Sequence, residues 1–499
     1  MADFDPTQTC ALYNQHRDRW QLETDVAEMT LDVLRAGTYM PRFSAEEAEG
    51  DYTYRKNMAA PLDLCRDAIR IRRDAIWRTA PKREVSKGST YAGMIEQILE
   101  DCDDEGTPLD TFMRRAYWRR CVTGVDITCQ MTSAPEDIEI RSEKDVRDNG
   151  LRPYFSMFSP LERYDWAANA SGGLLWARYS LGRDVPIDEQ NAADNAEKFI
   201  TLTTEGWRLW EVRYDDAAEK RVTLLNEGQH PLGKPPVVKL YHEESTKPGQ
   251  VCVPISLISR PAVVAAVMLN LKSQADADLI ASVTRWFATG VDPTNLPDSF
   301  GPATLISFPS PDSGISVLQG DVGHIREKRE WLVLYIQEVM RLLKFWGGVG
   351  ETETTTGSGV KLAMARTDLD NELRATASEL EYAELEMMRQ AAVLRYGKPI
   401  TPAEAADVLG YSVQYEKDFV LEPVGEMIAN IREFVNGCEW VVDEVPEVVR
   451  EMLRQLTNNL MREGSPQADL AYQQIEEAKF TGVTEESTGN DVTLDGPKE

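Results

Sequence analysis

The run Gly228-Gln229-His230-Pro231-Leu232-Gly233-Lys234-Pro235 matches the first seven positions of a phosphate-binding P-loop. That chemistry needs a hydroxyl at the eighth position for magnesium and a helix N-terminus behind the phosphates. Here the eighth residue is Pro235, and Pro236-Val237-Val238-Lys239-Leu240 reads as a strand, so a turn between strands is the better account. Asp101, Asp103, Glu105 and Gly106 are spaced like the start of a calcium loop, but Phe112 stands where a bidentate Glu would close the shell. An acidic turn joining two helices explains them. The four histidines (His16, His230, His242, His324) show no H-x-x-x-H spacing and lie beside no cysteine pair, so a zinc site has no support. No G-x-S-x-G elbow occurs. Cys10, Cys65, Cys102, Cys121, Cys129, Cys252 and Cys438 are odd in number and never spaced C-x-x-C, which reads as reduced, mostly buried thiols. The sequence therefore assigns no catalytic residue, no metal ligand and no cofactor.

Two basic clusters stand out. Arg66, Arg70 and Arg73 form a helical stripe, and Arg114, Arg115, Arg119 and Arg120 enclose Tyr117 and Trp118. Contact with nucleic acid is one reading, because basic and aromatic groups together suit phosphates and bases. Ion pairing with surplus carboxylates, within or between subunits, is the other. It is preferred, because isolated clusters under a net negative field bind DNA weakly. A third feature is the stretch Gly347, Gly348, Val349, Gly350, Glu351, Thr352, Glu353, Thr354, Thr355, Thr356, Gly357, Ser358, Gly359. Its composition is that of a flexible linker, while its place between two strong helical patterns points to a functional loop.

The elements that must position these residues change character along the chain. Up to about residue 122 the pattern is helical: Leu22, Val26, Met29 and Val33 recur at helical spacing before Gly37, and a second helix is expected from Pro61 to Thr79. Two more helices flank the Asp101 to Pro108 turn. From 151 to 242, short aromatic and β-branched runs predict strands at Tyr154 to Phe158, Leu174 to Tyr179, Phe199 to Thr203, Arg221 to Leu225 and Val237 to Tyr241. A long helix is expected from Ser259 to about Gly290, then short strands at Thr304 to Phe308 and Ile315 to Leu318. An apolar helix from His324 to Trp346 carries Trp331, Leu332, Ile336, Val339 and Leu343. Beyond the Gly/Thr loop, a helix from Val360 to Tyr396 would run roughly 55 Å, with Leu362, Leu369, Leu373, Ala377, Leu380 and Leu394 on one face and acids on the other. Thr401-Pro402-Ala403-Glu404 has the form of a capping box with proline at the first helical position. A strand-like run from Tyr411 to Val420, helices at about 425 to 436, 446 to 463 and 466 to 479, and an acidic disordered tail from Thr481 complete the chain.

At 499 residues the chain exceeds what one hydrophobic core usually supports, so two or more modules are expected. Its 42% hydrophobic and 27% charged content is that of ordinary soluble protein, and no stretch approaches the roughly 18 apolar residues of a membrane span. Met1-Ala2-Asp3-Phe4-Asp5 is acidic where a secretory signal would be basic, so a cytoplasmic protein is expected. A formal charge of −29 argues against a surface that grips duplex DNA, yet fits a conduit whose wall repels the polyanion.

Several stretches resemble the portal proteins of tailed bacteriophages. Glu100 to Leu109 looks like the D-x-D-x-x-G-x-x-L turn of one branch, and Val122-Thr123-Gly124-Val125-Asp126 like its helix-to-strand exit. Gly150-Leu151-Arg152-Pro153-Tyr154-Phe155, Ser159-Pro160-Leu161 and Gly172-Gly173-Leu174-Leu175 look like its next strand and turns. The order helix, short strands, helix, flexible loop, long helix across 258 to 396 is similar to the family's stem, clip, tunnel loop and wing helix. The resemblance implies a mostly helical α+β fold. A wing would span 1–257, β-rich from about 151; a stem helix and small clip, 258–323; a second stem helix, tunnel loop and long wing helix, 324–400. A helical crown would follow at 401–480 and a disordered acidic tail at 481–499. It further implies a non-enzymatic ring of twelve copies at the unique capsid vertex of a virion, assembled in the host cytoplasm, with residues 347–359 facing the DNA. Its partners would be double-stranded DNA passing without sequence specificity, the terminase large subunit, the major capsid protein and a tail adaptor, with no membrane. The competing readings are an enzyme such as a hydrolase with its site under the 151–242 sheet, or a helical adaptor without a channel.

Overall fold

The computed structural model describes residues 4–42, 47–61, 63–132, 151–169, 171–183, 196–214, 220–281, 285–289, 314–318, 322–343, 358–417 and 419. The chain divides into two units, 1–417 and 418–499. The expected helices at 425–479 and the acidic tail lie outside the described residues, as do residues 347–357 of the Gly/Thr loop and the expected strand at 304–308.

Helices come first, as the 3.6-residue patterning requires: α1 (Ala11–Glu28), α2 (Leu31–Ala36), α3 (Glu49–Met58) and α4 (Leu64–Ile76). The single helix expected across residues 22 to 33 is two. Met29 adopts a left-handed conformation (φ 41°) and its N–H donates to the Asp25 carbonyl, closing α1 before α2 begins. Gly37 then ends α2 in the same conformation (φ 74°). After the short strand β1 (Lys82–Val85), α5 (Ala92–Glu100) and α6 (Leu109–Val122) flank the acidic turn. Gly124 (φ 92°) swings the chain from α6 into strand β2 (Val125–Met131). A Cβ there would stand 2.7 Å from the Cβ of Pro254, so only glycine fits.

The β region contains two antiparallel sheets. In the first, β2 lies between β3 (Pro153–Phe158) and β9 (Val237–Leu240). In the second, β4 (Arg163–Ala168), β5 (Leu174–Arg183), β6 (Ala196–Thr203), β7 (Gly206–Tyr214) and β8 (Lys220–Gln229) follow one another as a meander. The five expected strands are present; β2, β4 and β7 are additional, and β4 and β7 carry too many charged residues to show a clean alternation. Helix α1 covers the meander, burying Tyr13 and Trp20 with Trp166, Tyr179, Ile200 and Leu202.

Beneath this layer runs a network of buried charge. Arg163 and Asp126 are both essentially inaccessible and 2.9 Å apart. Tyr179 and Tyr241 donate to the Asp126 carboxylate at 2.9 and 2.6 Å, while Arg163 also donates to Tyr241 Oη and the Cys252 carbonyl and lies over the Trp166 ring. Burial drives both tyrosine hydroxyls well above their ordinary range, so they remain donors. A buried ion pair is tolerated when most of its hydrogen-bonding capacity is filled in this way; Arg163 Nε is left without a partner.

The short pair β10 (Glu243–Glu244) and β11 (Pro254–Ile255) leads into α7 (Ser259–Ala281), which packs on α1, α3 and α4. Arg55 of α3 ties the two helices, donating to Asn270 Oδ1 at 3.1 Å and Ser273 Oγ at 3.2 Å. Helix α7 ends at Ala281 instead of near 290: Arg285–Thr289 is a strand, β12, paired antiparallel with β13 (Gly314–Leu318). Aromatic and β-branched residues in Arg285-Trp286-Phe287-Ala288-Thr289 favour the strand once a partner is present. Helix α8 (Val322–Leu342) returns along α7. Of its expected apolar face, Val339 and Leu343 are buried, but Trp331 is 59% exposed.

Helix α9 (Ser358–Tyr396) is 39 residues, roughly 58 Å, and packs on β2, β3, β9 and α4. Leu373, Ala377 and Leu380 are buried as expected; Glu384, one turn further along the same face, is buried with them, and so is Glu386 on the side expected to be solvated. Helix α10 (Ala405–Leu409) begins directly after the capping-box run, with Glu404 and not Thr401 at its N-cap, and the Thr401 N–H donates to Glu404 Oε1 at 2.9 Å, one of the two bonds that motif prescribes. Strand β14 (Tyr411–Gln414) pairs antiparallel with β1, tying the segment after α9 to the one between α4 and α5.

Candidate functional site

Along α6, Thr111, Arg114, Arg115, Trp118 and Arg119 fall on one face by their i, i+3, i+4 spacing. The packing of α4 against α6 brings Arg73 to the same place, and Met157 of β3 closes the floor. The result is an open cleft of about 390 Å³ lined by these seven residues. Four guanidinium groups therefore converge where the sequence showed two separate clusters.

Their charge is only partly neutralised. Arg73 pairs with its neighbour Asp74 at 2.8 Å, and Arg114 with Asp110 at 2.9 Å one turn back. Arg119 donates to the Met157 carbonyl at 2.9 Å and has Glu162 no nearer than 3.9 Å. Arg115 is exposed and makes no ion pair among the described residues. Exposed pairs of this kind are worth roughly 0–1 kcal/mol, so an incoming anion can compete for the same guanidinium groups. Trp118 is half-buried, and its indole ring meets no aromatic or cationic side chain among the described residues.

The other expected residues divide. Arg66 and Arg70 are exposed on α4, outside the cleft lining and without an ion pair among the described residues. Arg120 is buried at 3% exposure and pairs with Glu379 of α9. Arg72, which the stripe reading passed over, is also buried and meets Glu372 of α9 at 3.5 Å. Burial, and then the Arg120 cation, push His242 beside them down to about 4, so its imidazole is neutral at physiological pH. Thr111 and Met157 were missed; Thr111 was legible from α6 periodicity, whereas Met157 arrives from another element. Of the Gly/Thr loop, Ser358 and Gly359 form the start of α9, while Gly347, Gly348, Gly350, Glu351, Thr352, Glu353, Thr354, Thr355, Thr356 and Gly357 lie outside the described residues.

The motif-like sequences have structural partners. Lys234 donates to Glu386 Oε1 at 2.6 Å, and residues 230–236 connect β8 to β9. Burial would raise the Glu386 carboxyl, but hydrogen bonds from Arg389, Lys234 and Gln390 outweigh it and hold the group at about 2. In the acidic turn, Asp103 Oδ1 accepts from the N–H groups of Glu105 and Thr107, and Asp101 and Asp104 both pair with Arg152. Among the described residues no three acidic, histidine or cysteine side chains cluster as metal ligands, and no helix is long and apolar enough to cross a membrane.

No protein-family model matches the chain, and no curated protein matches it in sequence. Among solved structures, a chain of the "Neck of empty GTA particle computed with C6 symmetry" is similar with a TM-score of 0.37 and 11% identity, over 77% of this chain and 90% of that one.

Proposed function

We propose that the chain is a portal-type subunit, a non-catalytic component of a ring through which a viral genome is threaded. The observation that carries this reading is the unit α7, β12–β13, α8, followed by the long helix α9. A helical hairpin closed by a two-stranded tip gives a rod that can line a channel beside identical rods. Its outer surface supports the idea, since Val263, Val267, Trp331, Val333 and Leu334 are all exposed on α7 and α8. Exposed large apolar residues in this number call for a partner, and neighbouring copies of the same hairpin would cover them.

In this reading twelve copies form the ring, at the unique vertex of a capsid. The hairpin is the stem, its β tip a small clip, and the segment 347–357 the loop beside the moving duplex. Residues 1–257 and α9 make the wing, 401–480 the crown. The ring would dock the terminase large subunit during packaging and the tail adaptor afterwards, contacting the major capsid protein at its rim. Guidance is passive: the formal charge of −29 per chain favours a lumen that repels DNA and lets it slide.

Negative-stain microscopy of the purified chain tests the reading. Rings with a central hole are the expected result, and compact monomers at high concentration would overturn it. Deleting Thr352 to Thr356 should leave rings intact and impair DNA packaging; unchanged packaging would reduce that loop to a linker.

A further inference from the structure

The arginine cleft on α4 and α6 has no part in the threading mechanism just described and stands independently of it. We propose that it is a nucleotide-recognition site, taking one or more phosphates of a single-stranded nucleic acid or a free nucleotide on its guanidinium groups and a base on Trp118. Three features favour this ligand. First, Arg73, Arg114, Arg115 and Arg119 line one concavity of about 390 Å³, and the guanidinium fork matches the paired oxygens of a phosphate. Second, three carboxylates oppose the four cations, one of them 3.9 Å away, so a positive charge centred on Arg115 is left over in a chain whose net charge is −29. Third, the indole of Trp118 lies in the same lining without a ring partner among the described residues. A carboxylate-bearing protein surface would use the arginines but has no need of an aromatic ring in the lining, whereas a nucleobase can stack on one. A duplex keeps its bases stacked and would gain nothing from it.

The overall acidity limits affinity, so binding should be measured at low ionic strength and should weaken steeply with salt. Three phosphate contacts on a single strand predict a slope of about −2 for log affinity against log salt concentration.

Fluorescence anisotropy of a labelled oligothymidylate of twelve residues with the full chain tests the proposal, with tryptophan quenching as a second signal. Arg115→Ala and Trp118→Ala should each weaken binding about tenfold, with Arg115→Lys and Trp118→Phe retaining part of it. Arg115 is exposed and unpaired among the described residues, so its variants fold independently of any damage done at Trp118. Competition separates the sources. Thymidine monophosphate competing as well as the oligomer identifies a free-nucleotide site, and competition by the oligomer alone identifies a strand site; both uphold the proposal. Equal competition by polyglutamate would overturn it in favour of an acidic protein surface. Undiminished binding by both alanine variants, or no binding at low salt, would overturn it outright.

Discussion

Glu23 shows how burial sets the behaviour of a single group. Its carboxyl is fully enclosed on α1, and that burial raises it to about 7, against the opposing pull of Arg19 and the hydroxyls of Ser259 and Ser256 at the start of α7. Its folded-state value thus lies above the ordinary 4.5, so the folded chain holds this proton more tightly than the unfolded one. The stabilisation is complete below about 4.5 and disappears as pH rises towards 7, a swing of about 3 kcal/mol. Glu23→Gln should therefore gain stability at pH 8 and flatten the pH dependence of the melting temperature between 5 and 7; a parallel curve for the variant would refute the assignment. Asp126 matters as the partner of a buried cation. Its loss would strand Arg163, with no solvent access, beside two tyrosine hydroxyls. Asp126→Ala is expected to cost about 3–5 kcal/mol in denaturant unfolding, far more than an exposed pair such as Arg208 and Glu227.

At the scale of elements, junctions are more exacting than interiors. Gly124 passes α6 into the central strand β2 against Pro254 and Tyr241. Gly124→Ala combines a left-handed backbone cost of about 1–2 kcal/mol with that close approach, and should lower the denaturation midpoint more than Gly88→Ala, where a Cβ meets nothing within 4 Å. Equal midpoints for the two variants would show that the junction relaxes freely. Helix α9 illustrates the limits of patterning. Its Leu373, Ala377 and Leu380 stripe was legible, but Glu384 is fully buried because Arg83, Tyr411 and Tyr415 from β1 and the β14 region reach its two oxygens. Its place one turn beyond Leu380 puts Glu384 on that stripe, but nothing within α9 supplies the partners that let a carboxylate be buried there; they lie some 300 positions upstream and about 30 downstream.

At the scale of the whole molecule, the proposed ring can be tested on the hairpin surface. If neighbouring copies cover α7 and α8, Trp331→Glu combined with Leu334→Glu should abolish rings in negative stain while leaving the far-ultraviolet circular dichroism spectrum unchanged. Both residues are more than half exposed, so the folded unit loses little by the change. Rings persisting in that variant would place the assembly contact elsewhere on the chain.

The sequence by itself determined the sequence of helical and strand regions, because amphipathic periodicity and caps act within a few residues. It also placed α4, α9 and the capping contact of Thr401 with Glu404, and it dismissed the P-loop and calcium matches on residues that are physically unable to serve. The break at Met29 was settled by a left-handed cap that no glycine or asparagine announces; the end of α7 at Ala281 and strands β2, β4 and β7 were settled by partners distant in the chain. So was the cleft. Arg73 and Arg115 are 42 positions apart in sequence, and only the packing of α4 on α6, with Met157 beneath, makes one concavity of two arginine clusters. Charge that reads as uniformly exposed in sequence is sorted by tertiary structure into buried pairs, such as Arg120 with Glu379, and an uncovered remainder at Arg115, because desolvation is decided only when elements meet.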